Sequence, residues 1–130
     1  MKKFLFTLLA CLTLSSSFVY ANPQIEKAYH DKQSNVQVQG IGKVSRILSD
    51  DNNGSKHQKF LLKLPSKLTL LVAHNIDLSK RIDKLKEGDE VEFYGEYEWN
   101  NKGGVLHWTH HDPRGKHKDG WLKHNGVVYK

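Results

Sequence analysis

Apolar and polar residues alternate along much of this chain after residue 35, and this alternation predicts β-strands. The clearest run is 91–99, in which odd positions are valine, phenylalanine, glycine, tyrosine and tryptophan, and even positions are glutamate or tyrosine. Side chains of a strand point alternately to opposite faces, so this run has an inner and an outer face. Further strand-like runs occupy residues 36–44, prolonged by Ile47 and Leu48, and residues 58–64, 68–73 and 105–111.

Turn residues and one helical pattern separate these five predicted strands. The polar cluster 50–55 predicts a loop, Pro65-Ser66 a tight two-residue turn, and Asn100 to Gly104 another turn. Between the third and fourth strands, Asp77 can cap a short helix whose apolar residues are spaced by four and three: Leu78, Ile82 and Leu85. The order β-β-β-α-β-β with a long first strand that contains glycines is that of the OB-fold, a five-stranded Greek-key barrel.

We therefore predict an all-β fold with one short helix, an OB-fold-like barrel. An open β-sandwich or an SH3-like barrel is the rival architecture, but neither predicts a helix at that position. Asn125-Gly126 predicts a C-terminal hairpin between residues 121–124 and 127–130. The predicted organisation is a segment 1–21 that is removed, a short helix or linker at 22–35, and a barrel domain with its hairpin at 36–130.

The first 21 residues are typical of a secretory signal peptide. Lys2 and Lys3 precede an apolar stretch, and Ala21 supplies the small residue before a cleavage point. The apolar stretch is too short for a stable membrane span. The segment ending at Cys11 also resembles a lipoprotein cleavage box, but it comes so early that we favour cleavage after Ala21. The protein is then periplasmic or secreted.

Cleavage there has consequences for chemistry and charge. Cys11 is the one cysteine, so the mature chain has no disulfide, no cysteine nucleophile and no thiolate metal ligand. The full chain has 20 lysines and arginines against 14 acidic residues, and loss of Lys2 and Lys3 leaves a net charge of +4. A mildly basic protein favours acidic partners such as nucleic acid or anionic surfaces.

Counting outward from the predicted turns places certain residues opposite each other. A two-residue turn at Pro65-Ser66 puts His57 opposite His74, close enough for two imidazoles to share a metal or a proton. In the second hairpin, the same counting pairs Glu96 with His107, Glu92 with His111, and Gly95 with Trp108. The indole would then lie over the strand glycine, and Glu96 with His107 forms either an acid–base pair or a surface ion pair.

Five of the eight histidines fall between His107 and His124. Imidazole binds metals, transfers protons near neutral pH and contacts anions. Pro113 ends the strand, so that a divalent ion such as zinc could be bound by a set drawn from His107, His110, His111, Asp112 and His117. No standard metal-ligand spacing is present in this segment. Basic residues and aromatic rings also surround this segment. OB barrels use such a combination to bind single-stranded nucleic acid, since cations contact the phosphates and rings stack on the bases.

Several segments resemble an uncharacterised family of small exported bacterial proteins, the domain of unknown function 3465. The similarity lies in residues 50–58, 73–78, 95–100 and the run from His107 to Trp121, and it covers most of the chain from about Gln39 onward. The resemblance implies a bacterial envelope or secreted location. It implies no activity, so it assigns no catalytic residue.

These observations favour an exported, monomeric binding module rather than an enzyme. The predicted ligand is an anionic polymer, either single-stranded nucleic acid or a polyanionic saccharide. The predicted ligand-binding residues are His57, His74, Glu96, His107, His111, Arg114 and Lys116. Two alternatives stay open: a metal-dependent hydrolase that uses the segment 107–117 to activate a water molecule, and a structural component of an envelope assembly.

Overall fold

The computed structural model describes residues 23–130, which form one helix and seven strands. The predicted signal peptide and the segment around Cys11 lie outside the described residues. The elements are α1 (Pro23–His30), β1 (Val36–Ile47), β2 (His57–Lys63), β3 (Thr69–Asn75), β4 (Glu90–Glu98), β5 (Val105–His107), β6 (Trp121–His124) and β7 (Val127–Tyr129). Within this part of the chain, no helix is long and apolar enough to cross a membrane.

The first five strands close into a barrel. Strand β1 pairs with β2, β2 with β3, β3 with β5 and β5 with β4, and β4 returns to β1. All of these pairs are antiparallel except β3–β5, which is parallel. Long β1 serves both sides of the barrel, since Val36–Lys43 pair with β4 and Lys43–Ile47 pair with β2. The predicted OB-fold-like barrel is confirmed.

The predicted faces of β4 are also confirmed, and they explain the core. Val91, Phe93 and Tyr97 are fully buried, whereas Glu92, Tyr94, Glu96 and Glu98 are only partly covered. Phe60, Leu62, Leu70 and Val72 from β2 and β3 join the same buried cluster. A closed barrel has one packed inside, so the parity of a residue in its strand decides whether it is core or surface.

The helix predicted over Asp77–Leu85 is wrong. The segment between β3 and β4 consists of turns and irregular chain. The reason is side-chain bonding to the backbone: the buried Gln58 amide accepts a hydrogen bond from the Ile82 N–H and donates one to the Ile82 carbonyl. Asn75 also accepts from the N–H groups of Asp77 and Leu78, which forms a local turn instead of a helix. Ile82 is still buried.

The first hairpin differs by one residue from its prediction. Lys67 adopts a φ of 78°, which extends the loop to three residues, and Leu64 pairs with Leu68. The register therefore pairs His57 with Asn75 and Gln58 with His74. A slip of one residue reverses the face of every partner, so the predicted opposition of His57 and His74 is wrong.

The second hairpin matches its prediction near the turn and departs from it farther out. Glu96 pairs with His107, as predicted. Strand β5 ends there because Trp108 takes a φ of 56°, and Glu92 pairs with Lys123 of β6 instead of His111. The predicted pairing of Gly95 with Trp108 is also wrong.

Both ends of the described part, residues 23–130, pack against the barrel. Helix α1 buries Ile25 and Ala28, and its last turn accepts a hydrogen bond from the Trp99 indole at the Tyr29 carbonyl. At the other end, Asn125 and Gly126 take φ values of 49° and 79°, as a two-residue hairpin turn requires. The predicted C-terminal hairpin is confirmed, and β6 extends the sheet along the edge of β4.

Candidate functional site

The outer surface of β4 and β5 brings two carboxylates and an imidazole together. Glu96 and Glu98 share one face of β4, and His107 lies opposite Glu96 on β5. The His107 Nε2 atom is 3.2 Å from a Glu96 carboxylate oxygen and 3.3 Å from a Glu98 carboxylate oxygen. The three residues can each offer one ligand atom such that all three atoms lie within 4.8 Å of one another. Glu96, Glu98 and His107 form the Glu/His cluster.

His117 contacts the Glu/His cluster from the loop after β5. Its Nε2 is 2.8 Å from the second carboxylate oxygen of Glu96, and its Nδ1 is 2.8 Å from the Lys118 carbonyl oxygen. Both neighbours are hydrogen-bond acceptors, so the arrangement favours the protonated ring, in which both nitrogens donate. Burial alone would lower the pKa of His117, but the hydrogen bonds and the charge of Glu96 outweigh it and raise that pKa above its usual value. The Trp108 indole stacks on the ring, with centroids 3.8 Å apart.

The loop that carries His117 is organised around Asp112. Its carboxylate accepts hydrogen bonds from the backbone N–H groups of Arg114, Lys116 and His117. These bonds hold the pKa of Asp112 below its usual value. The Asp112 carboxylate is thus committed to its own loop, and the structure does not gather it with His110, His111 and His117 around one point. Among residues 23–130, the Glu/His cluster is the group whose ligand atoms converge.

Three histidines are almost fully buried, although His110 and His124 each border a surface cavity. His74 is fully buried; its Nδ1 lies 2.7 Å from the Thr109 hydroxyl, and its Nε2 donates to the Lys80 carbonyl at 3.1 Å. Burial lowers the pKa of His74 to about 4. His110 is also buried, donates to the His111 carbonyl and has a lowered pKa for the same reason. His124 is buried too and lies 2.7 Å from an Asp89 carboxylate oxygen.

The other predicted ligand-binding residues lie on the surface in two places. His57 and His107 both border a cavity of about 210 Å³, together with Trp108 and Asn75. His111, Arg114 and Lys116 are exposed on the loop after β5. The structure therefore brings His57, Glu96 and His107 to one outer face, leaves His74 inside the barrel, and sets the other three residues on a separate loop.

Several surface residues that sequence reasoning missed lie on the same outer face. One row of paired residues crosses four strands, from Arg46 of β1 through Leu61 and Leu71 to Val105 of β5. Lys59 of β2 is paired with Ala73 of β3. Lys43 pairs with Lys63 at the next level. One side of the face is thus basic (Lys43, Arg46, Lys59 and Lys63), its middle is apolar, and its far side is the Glu/His cluster. Glu98 could have been found from its parity with Glu96 in β4.

A family model described as "Protein of unknown function (DUF3465)" matches residues 7–130. No curated protein matches the chain.

Proposed function

This chain belongs to the DUF3465 family, whose description gives no function, and we propose a role for it from the geometry of its outer face. The proposal is an exported binding module whose outer barrel face takes an extended anionic polymer. The outer face of strands β2 and β3 is the surface on which OB folds bind oligonucleotides and oligosaccharides. The observation that carries the proposal is the basic side of that face, defined by Lys43, Arg46, Lys59 and Lys63.

The register gathers these four cations although they come from two separate segments. Lys43 and Lys63 are directly paired across β1 and β2, and Arg46 is paired with Leu61, two residues from both Lys59 and Lys63. Like charges opposite each other destabilise an antiparallel pair. Glu90 of β4 is paired with Lys43 on its other side and offsets part of this repulsion. A bound polyanion would relieve the rest, because each phosphate or sulfate would neutralise a lysine or arginine and release counterions.

The middle of the face provides contacts of another kind. Leu61, Leu71 and Val105 form one cross-strand row, and each is partly exposed. Such a row can cover the flat side of a base or a sugar ring beside the charged backbone. The cavity bordered by His57 and Trp108 lies beside this row, two residues further along β3, since Ala73 also borders it.

The test is equilibrium binding of a labelled oligothymidylate and of a sulfated oligosaccharide by fluorescence anisotropy. We expect binding that weakens steeply between about 50 and about 200 mM salt. Replacing Lys59 and Lys63 together by alanine should lower the affinity by about 10-fold and reduce the salt slope by about 2. The polymer that binds identifies the source of the anionic groups.

Lys84→Ala with Lys86→Ala is the matched control, because it removes the same charge from exposed positions between β3 and β4. This variant should bind within about twofold of the unchanged protein. Equal losses in the two double variants would show that only net charge matters. Equal losses, or no binding of either polymer at low salt, would overturn the proposal.

We also propose that the protein is exported by its first 21 residues and acts as a monomer. Expression of the full chain in a bacterial host tests this with N-terminal sequencing of the periplasmic protein and with gel filtration. We expect a mature chain that begins at Asn22 and elutes as a monomer. An unprocessed chain in the cytoplasm would contradict the first part, and a dimer would contradict the second.

A further inference from the structure

We propose that the Glu/His cluster binds one zinc ion through Glu96, Glu98 and His107. The His107 Nε2 atom already lies 3.2 and 3.3 Å from the two carboxylates. One imidazole nitrogen and two carboxylate oxygens within 4.8 Å of one another need only small side-chain rotations to surround an ion. Zinc binds histidine nitrogen and carboxylate oxygen at about 2.0–2.2 Å.

The backbone sets the spacing of these three residues. Glu96 and Glu98 share a face because they are two residues apart in β4, and Glu96 faces His107 across the ladder. The cluster is therefore built on paired strands rather than on a loop, which reduces the entropy lost when an ion binds. Glu96 is the more buried carboxylate, with 16% of its side chain exposed, while Glu98 and His107 are about one-third exposed. An ion can thus enter from solvent.

A further residue supports the proposed ligands without belonging to them. His117 donates to one oxygen of Glu96, while the other oxygen of that carboxylate faces His107. Hydrogen bonds of this kind orient the carboxylates that bind metals. Trp108 stacks on the His117 ring and holds it in place. His117 is therefore a positioning residue.

The charges around the cluster also favour a cation. Within residues 23–130, the ion pairs of Glu96 and Glu98 are all with histidines, and none is with a lysine or arginine. The chain has 20 lysines and arginines, yet within residues 23–130 none of them pairs with these two carboxylates, and a protonated His117 balances the charge of only one of them. A divalent ion would neutralise the other and would have His107 as a neutral ligand.

The donor set and the surroundings indicate zinc and an open coordination position. Magnesium and calcium prefer oxygen ligands alone, whereas an imidazole with carboxylates suits zinc. Three protein ligands leave a fourth position for water or an anion. His107 borders the cavity that it shares with His57 and Trp108, so a small anion in that cavity would be near the ion.

Isothermal titration with zinc chloride, after removal of metals by EDTA and dialysis, tests the proposal. We expect one tight site per chain. Glu98→Gln, which keeps the shape of the side chain, and His107→Ala should each weaken that site by at least about 100-fold, because loss of a ligand costs more than loss of a supporting hydrogen bond. His117→Gln should weaken it by about 10- to 100-fold, because it removes only the supporting hydrogen bond. Cobalt added in place of zinc gives an absorption spectrum that reports the same site.

His111→Ala is the matched control, since it removes an exposed histidine four positions from His107 and outside the cluster. It should leave the tight site unchanged. The proposal is overturned if no stoichiometric site is found, if Glu98→Gln has no effect, or if His111→Ala weakens the site as much as His107→Ala. Because the titration contains no polymer, its outcome is independent of whether the basic side of the face binds a polyanion.

Discussion

His74 and His107 lie on neighbouring parallel strands but in opposite environments. The register pairs Leu71 with Val105 and Val72 with Leu106, so the two histidines are separated by one residue level across β3 and β5. His74 points into the barrel, where it bonds a hydroxyl and a carbonyl group. His107 points outward to two carboxylates. Strand parity, rather than residue type, therefore separates a structural histidine from a candidate ligand.

The protonation of the His74 ring shows how the interior of the barrel differs from its outer surface. The Lys80 carbonyl can only accept, so the His74 Nε2 carries the proton and its Nδ1 accepts from the Thr109 hydroxyl. Each polar atom of the ring is thus satisfied in the neutral form, and the interior excludes the charged form. The outer cluster has the opposite character, because its carboxylates favour a cationic partner.

The largest expected effect comes from deleting the inner ring. His74→Ala should lower the free energy of unfolding by about 3 kcal/mol, because it opens a cavity and leaves the Lys80 carbonyl and the Thr109 hydroxyl without their partner. Urea denaturation followed by tryptophan fluorescence measures the change. His111→Ala, the same substitution at an exposed position, should cost less than about 0.5 kcal/mol. Equal losses in the two variants would contradict the structural role of the buried His74 ring.

The pH dependence of the free energy of unfolding tests the environment of His74 without the loss of a side chain. The pKa of His74 is lowered to about 4 in the folded state, whereas in the unfolded chain it returns to 6.5. The unfolded state therefore binds more protons as the pH falls, and the stabilisation present above 6.5 is lost progressively between 6.5 and about 4. Between about pH 7 and about pH 5 the loss from this group is about 2 kcal/mol.

His74→Gln isolates this contribution from those of other groups. A glutamine can still donate to the Lys80 carbonyl but does not titrate. Over the same pH range, the free energy of unfolding of this variant should therefore fall by about 2 kcal/mol less than that of the unchanged protein. Urea midpoints measured at the two pH values for both proteins provide the comparison. Identical pH dependence would mean that His74 can bind a proton without leaving the folded barrel.

Sequence patterns were most informative where local geometry decides the outcome. Period two identified the faces of β4, and counting from the turn at Asn100 correctly paired Glu96 with His107. The same counting failed at the first hairpin, because Lys67 adopts a positive φ that residues other than glycine seldom take. A one-residue difference in the loop was enough to move His74 from a predicted ligand position to the core.

Contacts between distant segments could not be predicted in this way. The helix over Asp77–Leu85 was predicted from local signals, a cap and a spacing, whereas the hydrogen bonds between Gln58 and Ile82 that replace it cross 24 positions of sequence. The position of His117 beside Glu96 depends on how Asp112 folds its loop. The basic side of the outer face likewise depends on the pairing of β1 with β2, in which a bulge between Val44 and Arg46 shifts the register.

The smallest expected effect belongs to the outer ring. In the presence of EDTA, His107→Ala should change the free energy of unfolding by less than about 0.5 kcal/mol, because its ion pairs are partly exposed to water and its loss leaves both carboxylates able to bind solvent. Urea denaturation beside His74→Ala gives the direct contrast between the two faces. A loss above about 1.5 kcal/mol would identify His107 as a structural ion-pair residue. A small loss would agree with a surface cluster that is available to a ligand rather than needed by the fold.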